Sequence, residues 1–165
     1  MSTNKMLMIL SLLLLALFSG CSDKHSTNPE PDHDIIITGG NYYGMCIGYC
    51  DFEIQIIDSN AVYVARSWDD SDYPDSMLHS TISIQEWQSL VELIDMETLL
   101  SLDSVIGCPD CVDQGGEWIE IKYFDQTRKI TFDPCLTIEP IQELIDAIRT
   151  IRIRFYRELF PTDDL

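Results

Sequence analysis

Basic residues are scarce in this chain: 10 Lys and Arg stand against 28 Asp and Glu in 165 residues, a formal net charge of −18. Proteins that hold nucleic acid displace counterions from phosphate with Lys and Arg, so nucleic acid is not an expected partner. Such a surface favours solubility and repels polyanions. Histidine is nearly absent as well. His25 and His33 fall in a polar stretch near the N-terminus, which leaves His79 alone to build a His-based triad on, and beside a helix start it reads as structural. Also missing are Gly-x-Ser-x-Gly, His-Glu-x-x-His and a phosphate-binding glycine loop. No apolar run reaches the about 20 residues that a membrane-crossing helix takes. No catalytic constellation is left, and enzymatic activity is not expected.

What is present begins at the N-terminus. Lys5 precedes an apolar stretch from Met6 to Phe18, and Ser19-Gly20-Cys21 follows. A basic start, a short apolar core and small residues before a break are the parts of a signal peptide, here residues 1–20. Leu17-Phe18-Ser19-Gly20-Cys21 resembles the bacterial lipobox, with Phe18 where Leu is commoner. That resemblance makes Cys21 the lipid acceptor, carrying a diacylglycerol and an N-acyl chain. Several acyl chains give stable anchoring where one is marginal. No other cofactor is expected. Residues 21–34 hold two prolines and no large apolar side chain, the composition of an unpacked tether. Extended, it would reach about 40 Å from the lipid. Ser22 after the acceptor cysteine is similar to an outer-membrane address, and Ser22-Asp23 resembles the export signals of surface lipoproteins in Bacteroidota. The expected location is the bacterial cell envelope, with the membrane and an envelope protein as partners. Loss of residues 1–20 removes Lys5 and no acid, leaving 9 Lys and Arg against 28 acids, a net charge of −19.

Residues 35–165 are long enough for one domain with a real core. Phe52, Ile54 and Ile56 alternate, Asp58-Ser59-Asn60 is turn chemistry, and Ala61 to Arg66 returns as a second strand. Trp68 to Ser80 reads as a polar loop. Ser83 and Glu86 then form a capping-box pair, with Ile82 and Trp87 in hydrophobic-staple positions, opening a helix through Leu90, Val91 and Ile94. Glu117 to Phe124 alternates again, Asp125-Gln126-Thr127 turns, and Arg128 to Phe132 returns. Pro140 precedes a last helix whose residues Ile141, Leu144, Ile145, Ile148, Ile151, Phe155 and Leu159 fall on one stripe. Its Arg149, Arg152, Arg154 and Arg157 complement the helix dipole, with a docking patch as the alternative. The expected fold is therefore α+β. Two hairpins form an antiparallel sheet of about four strands, with a short extra strand at Ile35-Ile36-Ile37, and two helices cover one face in the order ββαββα.

Gly44-Met-Cys46-Ile-Gly48-Tyr-Cys50, the alternation at Phe52, Ile54 and Ile56, the Asp-Ser-Asn turn and Val62-Tyr63-Val64 resemble the opening of an uncharacterised, Bacteroidota-like bacterial lipoprotein domain. The resemblance runs loosely over residues 42–157. It departs at Asp51, where that family usually has Pro, and at the extra segment 107–116. It implies a ββα-ββα fold and, that family having no established activity, supplies no catalytic residue.

Five cysteines remain once Cys21 is lipidated. In an oxidising compartment Cys46, Cys50, Cys108 and Cys111 are expected in disulfides, with Cys135 unpaired. The same four thiols could instead hold zinc. Cys108-Pro-Asp-Cys111 could alternatively be a redox motif, although Asp103, Asp110 and Asp113 disfavour a thiolate there. Asp69, Asp70, Asp72 and Asp75 form an oxygen-rich loop that could hold calcium, but it lacks the glycine and terminal glutamate of an EF-hand. A solvated acidic loop is the simpler reading. The function expected is that of a non-enzymatic binding or accessory module. The alternative is a thiol-redox or metal protein using the Cys108–Cys111 loop.

Overall fold

The core is built on alternation. The computed structural model describes residues 34–69, 71–134 and 136–161. The signal peptide, Cys21, almost all of the tether, Asp70 and Cys135 lie outside the described residues. The strands are β1 (Ile35–Tyr42), β2 (Tyr49–Ile57), β3 (Asn60–Ser67), β4 (Ser76–Thr81), β5 (Val105–Ile106), β6 (Gly116–Tyr123) and β7 (Gln126–Phe132). They form one sheet in the order β4-β3-β2-β1-β6-β7-β5, antiparallel throughout except for the β5–β7 pair. Directly paired residues share a face. One cross-strand row therefore reads Tyr63, Ile54, Gly39, Ile119, Ile130, and the next reads Ala65, Phe52, Asn41, Glu117, Phe132.

This face carries the helices α1 (Ile84–Glu92), α2 (Met96–Ser101) and α3 (Gln142–Leu159), the last preceded by a 3-10 turn at Glu139–Ile141. Their buried residues Leu90, Leu99, Leu144, Ile145, Ile148, Ile151 and Phe155 join the sheet's Ile37, Ile54, Ile56, Ile119, Ile121 and Ile130 in one core. Helix α3 lies close over β1 because Gly39 has no side chain; a Cβ there would stand 2.5 Å from Ile148 Cγ2. The capping box of α1 is complete. Ser83 Oγ accepts from the Glu86 amide at 3.2 Å, and the Glu86 carboxylate accepts from the Ser83 amide at 2.9 Å. Asp95 caps α2 by accepting from the Thr98 amide. On the opposite face Lys129 stands over the Trp118 ring, 3.8 Å from its centroid.

The expected sheet of about four strands under two helices, in the order ββαββα, is corrected: seven strands form a mixed sheet and three helices accompany it. Each discrepancy has a cause. Strand β1 is a full central strand and not a short extra one. Its Gly39-Gly40 pair breaks the apolar alternation, and a central strand needs little alternation when Thr38, Gly39 and Gly40 are all buried. Strand β4, read as polar loop, is an edge strand with every second residue exposed, so polar residues suit it. β5 is two residues long, and α2 is too short for a periodic signal. The second hairpin turns at Phe124-Asp125, one residue earlier than Asp125-Gln126-Thr127 suggests. The two legible hairpins, β2–β3 and β6–β7, do not adjoin; β1 separates them.

Candidate functional site

The cysteine loops and a cavity meet at one end of the sheet. Cys46 and Cys50 are paired at disulfide distance, with their Cα atoms 5.8 Å apart, and so are Cys108 and Cys111 at 5.5 Å. The first pair closes the β1–β2 connection. There the Tyr43 amide donates to the Cys50 carbonyl at 2.8 Å, and Trp68 Nε1 donates to the Tyr43 carbonyl at 3.2 Å. The second pair sits in the β5–β6 connection. Asp133 anchors that loop from the end of β7, accepting from the Cys108 amide at 3.1 Å and from Gln114 Nε2 at 3.3 Å. Gly115 has φ of +77°, and any Cβ on it would overlap the Tyr42 backbone, so the second loop can lie against β1 only with glycine there.

Between this end of the sheet and α3 lies a cavity of about 370 Å³. Tyr43, Phe52 and Tyr156 form its wall. Tyr43 packs edge-on to Phe52, with centroids 6.5 Å apart, and Phe52 packs edge-on to Tyr156 at 5.6 Å. Asn41, Tyr63, Glu117, Arg149 and Arg152 complete the polar lining. Glu117 faces inward because it shares the β6 register of Ile119 and Ile121, and it is 4% exposed. A carboxylate that deep needs partners. It has two. Arg149 donates from Nε at 3.1 Å and from Nη2 at 2.8 Å, a two-point fork, while Arg152 donates from Nη2 at 2.8 Å. The half-exposed Asp146 engages Arg149 from the solvent side at 2.7 Å. Arg152 is 8% exposed and gives one of its five N–H donors to Glu117. Burial raises the Tyr63 hydroxyl above the usual phenol range, and the Arg152 charge nearby opposes that rise. Two cations and one carboxylate line the cavity base, and the Asp146 carboxylate on Arg149 lies outside that lining.

The sites expected from sequence are distributed differently. The acidic loop is partly self-satisfied: Asp69 accepts from the Ser71 hydroxyl and amide, and these bonds hold its carboxyl below the ordinary range. Asp72 and Asp75 are in the same segment, and Asp70 is outside the described residues. Among the described residues no three of His, Cys, Asp or Glu converge as a metal site, for calcium or for zinc. Cys108–Cys111 precedes strand β6, so no helix N-terminus follows it to stabilise a thiolate. His79 is on β4 opposite Val62, on the sheet face away from the cavity. The arginine cluster of α3 divides: Arg149 and Arg152 serve the cavity, and Arg154 pairs with Glu86 of α1.

Of the cavity residues, only Arg149 and Arg152 stand out in the sequence, as part of the α3 arginine cluster; Glu117 as their partner does not, yet a signal for it exists. Glu117 interrupts the apolar face of a strand. Arg152 falls four residues after Ile148 and seven after Ile145, inside the apolar stripe of α3. A charge on each of two facing apolar surfaces is the mark of a buried ion pair. No protein-family model matches this chain, and no curated protein matches it either.

Proposed function

We propose that the protein is a lipid-anchored component of the bacterial cell envelope, and that its domain is a non-enzymatic binding module for a small molecule held in the Arg149–Arg152 cavity. The observation that carries the binding half is that cavity. It is concave, walled by aromatic rings and supplied with a few convergent polar groups. The anchoring half rests on the lipobox-like sequence ending at Cys21. No described helix is long and apolar enough to cross a membrane, so the lipid and the tether would carry the attachment. The resemblance of residues 42–157 to a lipoprotein domain is in keeping with the anchoring half alone. A second protein of the envelope remains a proposed partner, and the shortage of Lys and Arg argues against nucleic acid.

Each half has its own test. Cys21→Ala should abolish lipidation and leave unprocessed precursor; processed mutant protein that still partitions into detergent would sink the anchor. For the cavity, tyrosine fluorescence of the mature domain would be titrated with phenylacetate, phenylacetamide, indole-3-acetate, glucuronate and glucose. At least one should bind in a 1:1 ratio and lose affinity in Tyr43→Ala. No binding by any of the five would overturn the small-molecule reading.

A further inference from the structure

We infer that the cavity selects a monoanion, a carboxylate carried on one flat apolar ring, with Arg152 reading the charge. The inference rests on the small-molecule reading above and adds the chemistry of the ligand.

The charge comes first. Arg149, Arg152 and Glu117 sum to one surplus positive charge at the base of the cavity. Asp146 meets Arg149 at 2.7 Å from the solvent side, outside the cavity lining and with its side chain 55% exposed, where an ion pair is worth little. One surplus charge suits a monoanion better than a doubly charged phosphate. The two arginines are not equivalent. Arg149 commits Nε and Nη2 to Glu117 and Nη1 to Asp146. Arg152 gives a single Nη2 bond to the same carboxylate and lines the cavity. Arg152 therefore keeps donors beyond that bond, and a guanidinium offers such donors in pairs that match a carboxylate. With its side chain 9% exposed, Arg152 acts where charge is poorly screened.

The walls give the body of the ligand. Tyr43, Phe52 and Tyr156 present rings to it, and edge-to-face packing favours a flat apolar partner. A volume of about 370 Å³ is near the lower end of the roughly 300–1,000 Å³ of ligand sites, enough for one ring and a short acidic arm.

Phenylacetate and phenylacetamide test this, since they share a shape and differ in charge. Titrated into the wild-type mature domain at pH 7, the acid should bind about tenfold or more tighter than the amide, the factor that one charge-assisted contact supplies. Arg152→Met should cut that preference to about twofold or less, while Tyr43→Ala should weaken both ligands alike. Equal affinity for acid and amide in the wild type would overturn the inference and leave the binding reading standing. Failure of every compound in the five-member panel would remove both. The wild-type comparison needs no variant, so the inference is decided even where Arg152→Met fails to fold.

Discussion

Replacing Glu117 by Gln should be among the most damaging isosteric changes available in this protein, and the reason can be worked through bond by bond. Glu117 is 4% exposed and accepts three guanidinium N–H bonds of 3.1, 2.8 and 2.8 Å. Glutamine keeps the volume and one oxygen. Its amide NH2 must then face a guanidinium, donor against donor, and the buried charge rises from one surplus cation to two. Removing one partner of a buried ion pair costs about 3–5 kcal/mol. Arg149 can relax toward Asp146 and water, its side chain being 27% exposed, which moves the figure to the lower end, about 3 kcal/mol. Arg152→Met runs the other way. It removes one cation and one hydrogen bond, leaves the Arg149 fork on Glu117, and brings the triad to neutrality. Methionine also fills much of the volume of the arginine stem. The cost should be about 1 kcal/mol or less. Urea unfolding followed by tryptophan fluorescence at pH 7 measures both, with an unchanged m-value as the check on two-state behaviour. The electrostatic argument is wrong if Arg152→Met costs as much as Glu117→Gln, or if both are neutral.

Three further outcomes follow from other parts of the fold. In urea melts, Ser83→Ala should cost about 1 kcal/mol through the lost cap. Leu90→Ala, at a site 1% exposed, should cost about 2–5 kcal/mol and exceed Trp87→Ala, whose ring is only partly buried; the reverse order would mean that α1 presents another face. The Arg154 hydrogen bond and the Ser83 amide hold the Glu86 carboxyl below its ordinary range. Its contribution is therefore fully present above about pH 4.3, the unfolded value, and is lost as pH falls through the lowered folded value. Glu86→Gln should destabilise by less than about 1 kcal/mol at pH 7, since the pair is over a third exposed, and the gap from wild type should close toward pH 3; a gap that widens on acidification would refute the pairing. Alkylation of the unreduced mature protein should label Cys135 and spare Cys46, Cys50, Cys108 and Cys111. A label on Cys108 or Cys111 with Cys135 protected would instead favour thiol chemistry in that loop.

How far the fold can be read from sequence depends on where each segment packs. The β2–β3 hairpin, the α1 capping box and the α3 stripe are legible because each has one buried and one wet face, and burial on one face leaves a period in the sequence. β1 lies between β2 and β6 at the centre of the sheet; its Gly39 answers the close approach of Ile148 from α3, and its Gly40 that of the Trp118 ring on the other face. β4 is an edge whose polar residues meet water. Neither position writes an alternation, so the centre and the edge of the sheet are the parts that sequence reading misses. What places them is pairing between segments far apart in the chain, Gly39 with Ile119 and Val62 with His79.

The same distinction separates the cysteine loops from the cavity. The cysteines stand out in a sequence because their chemistry is local: a pair three or four residues apart can close on itself whatever the rest of the chain does. The cavity is not local. Glu117 and Arg152 are 35 residues apart and meet only when α3 crosses the sheet over Gly39. Each alone is one charge out of place on an apolar face, which a solvated helix flank or a frayed strand end would explain equally well. Together they require each other, since a carboxylate 4% exposed and a guanidinium 8% exposed could not be left separately in that environment. A carboxylate could be satisfied by the Arg149 fork alone. Arg152 is the cation left over from that balance, and it is this second arginine that turns a structural ion pair into a place for an incoming anion.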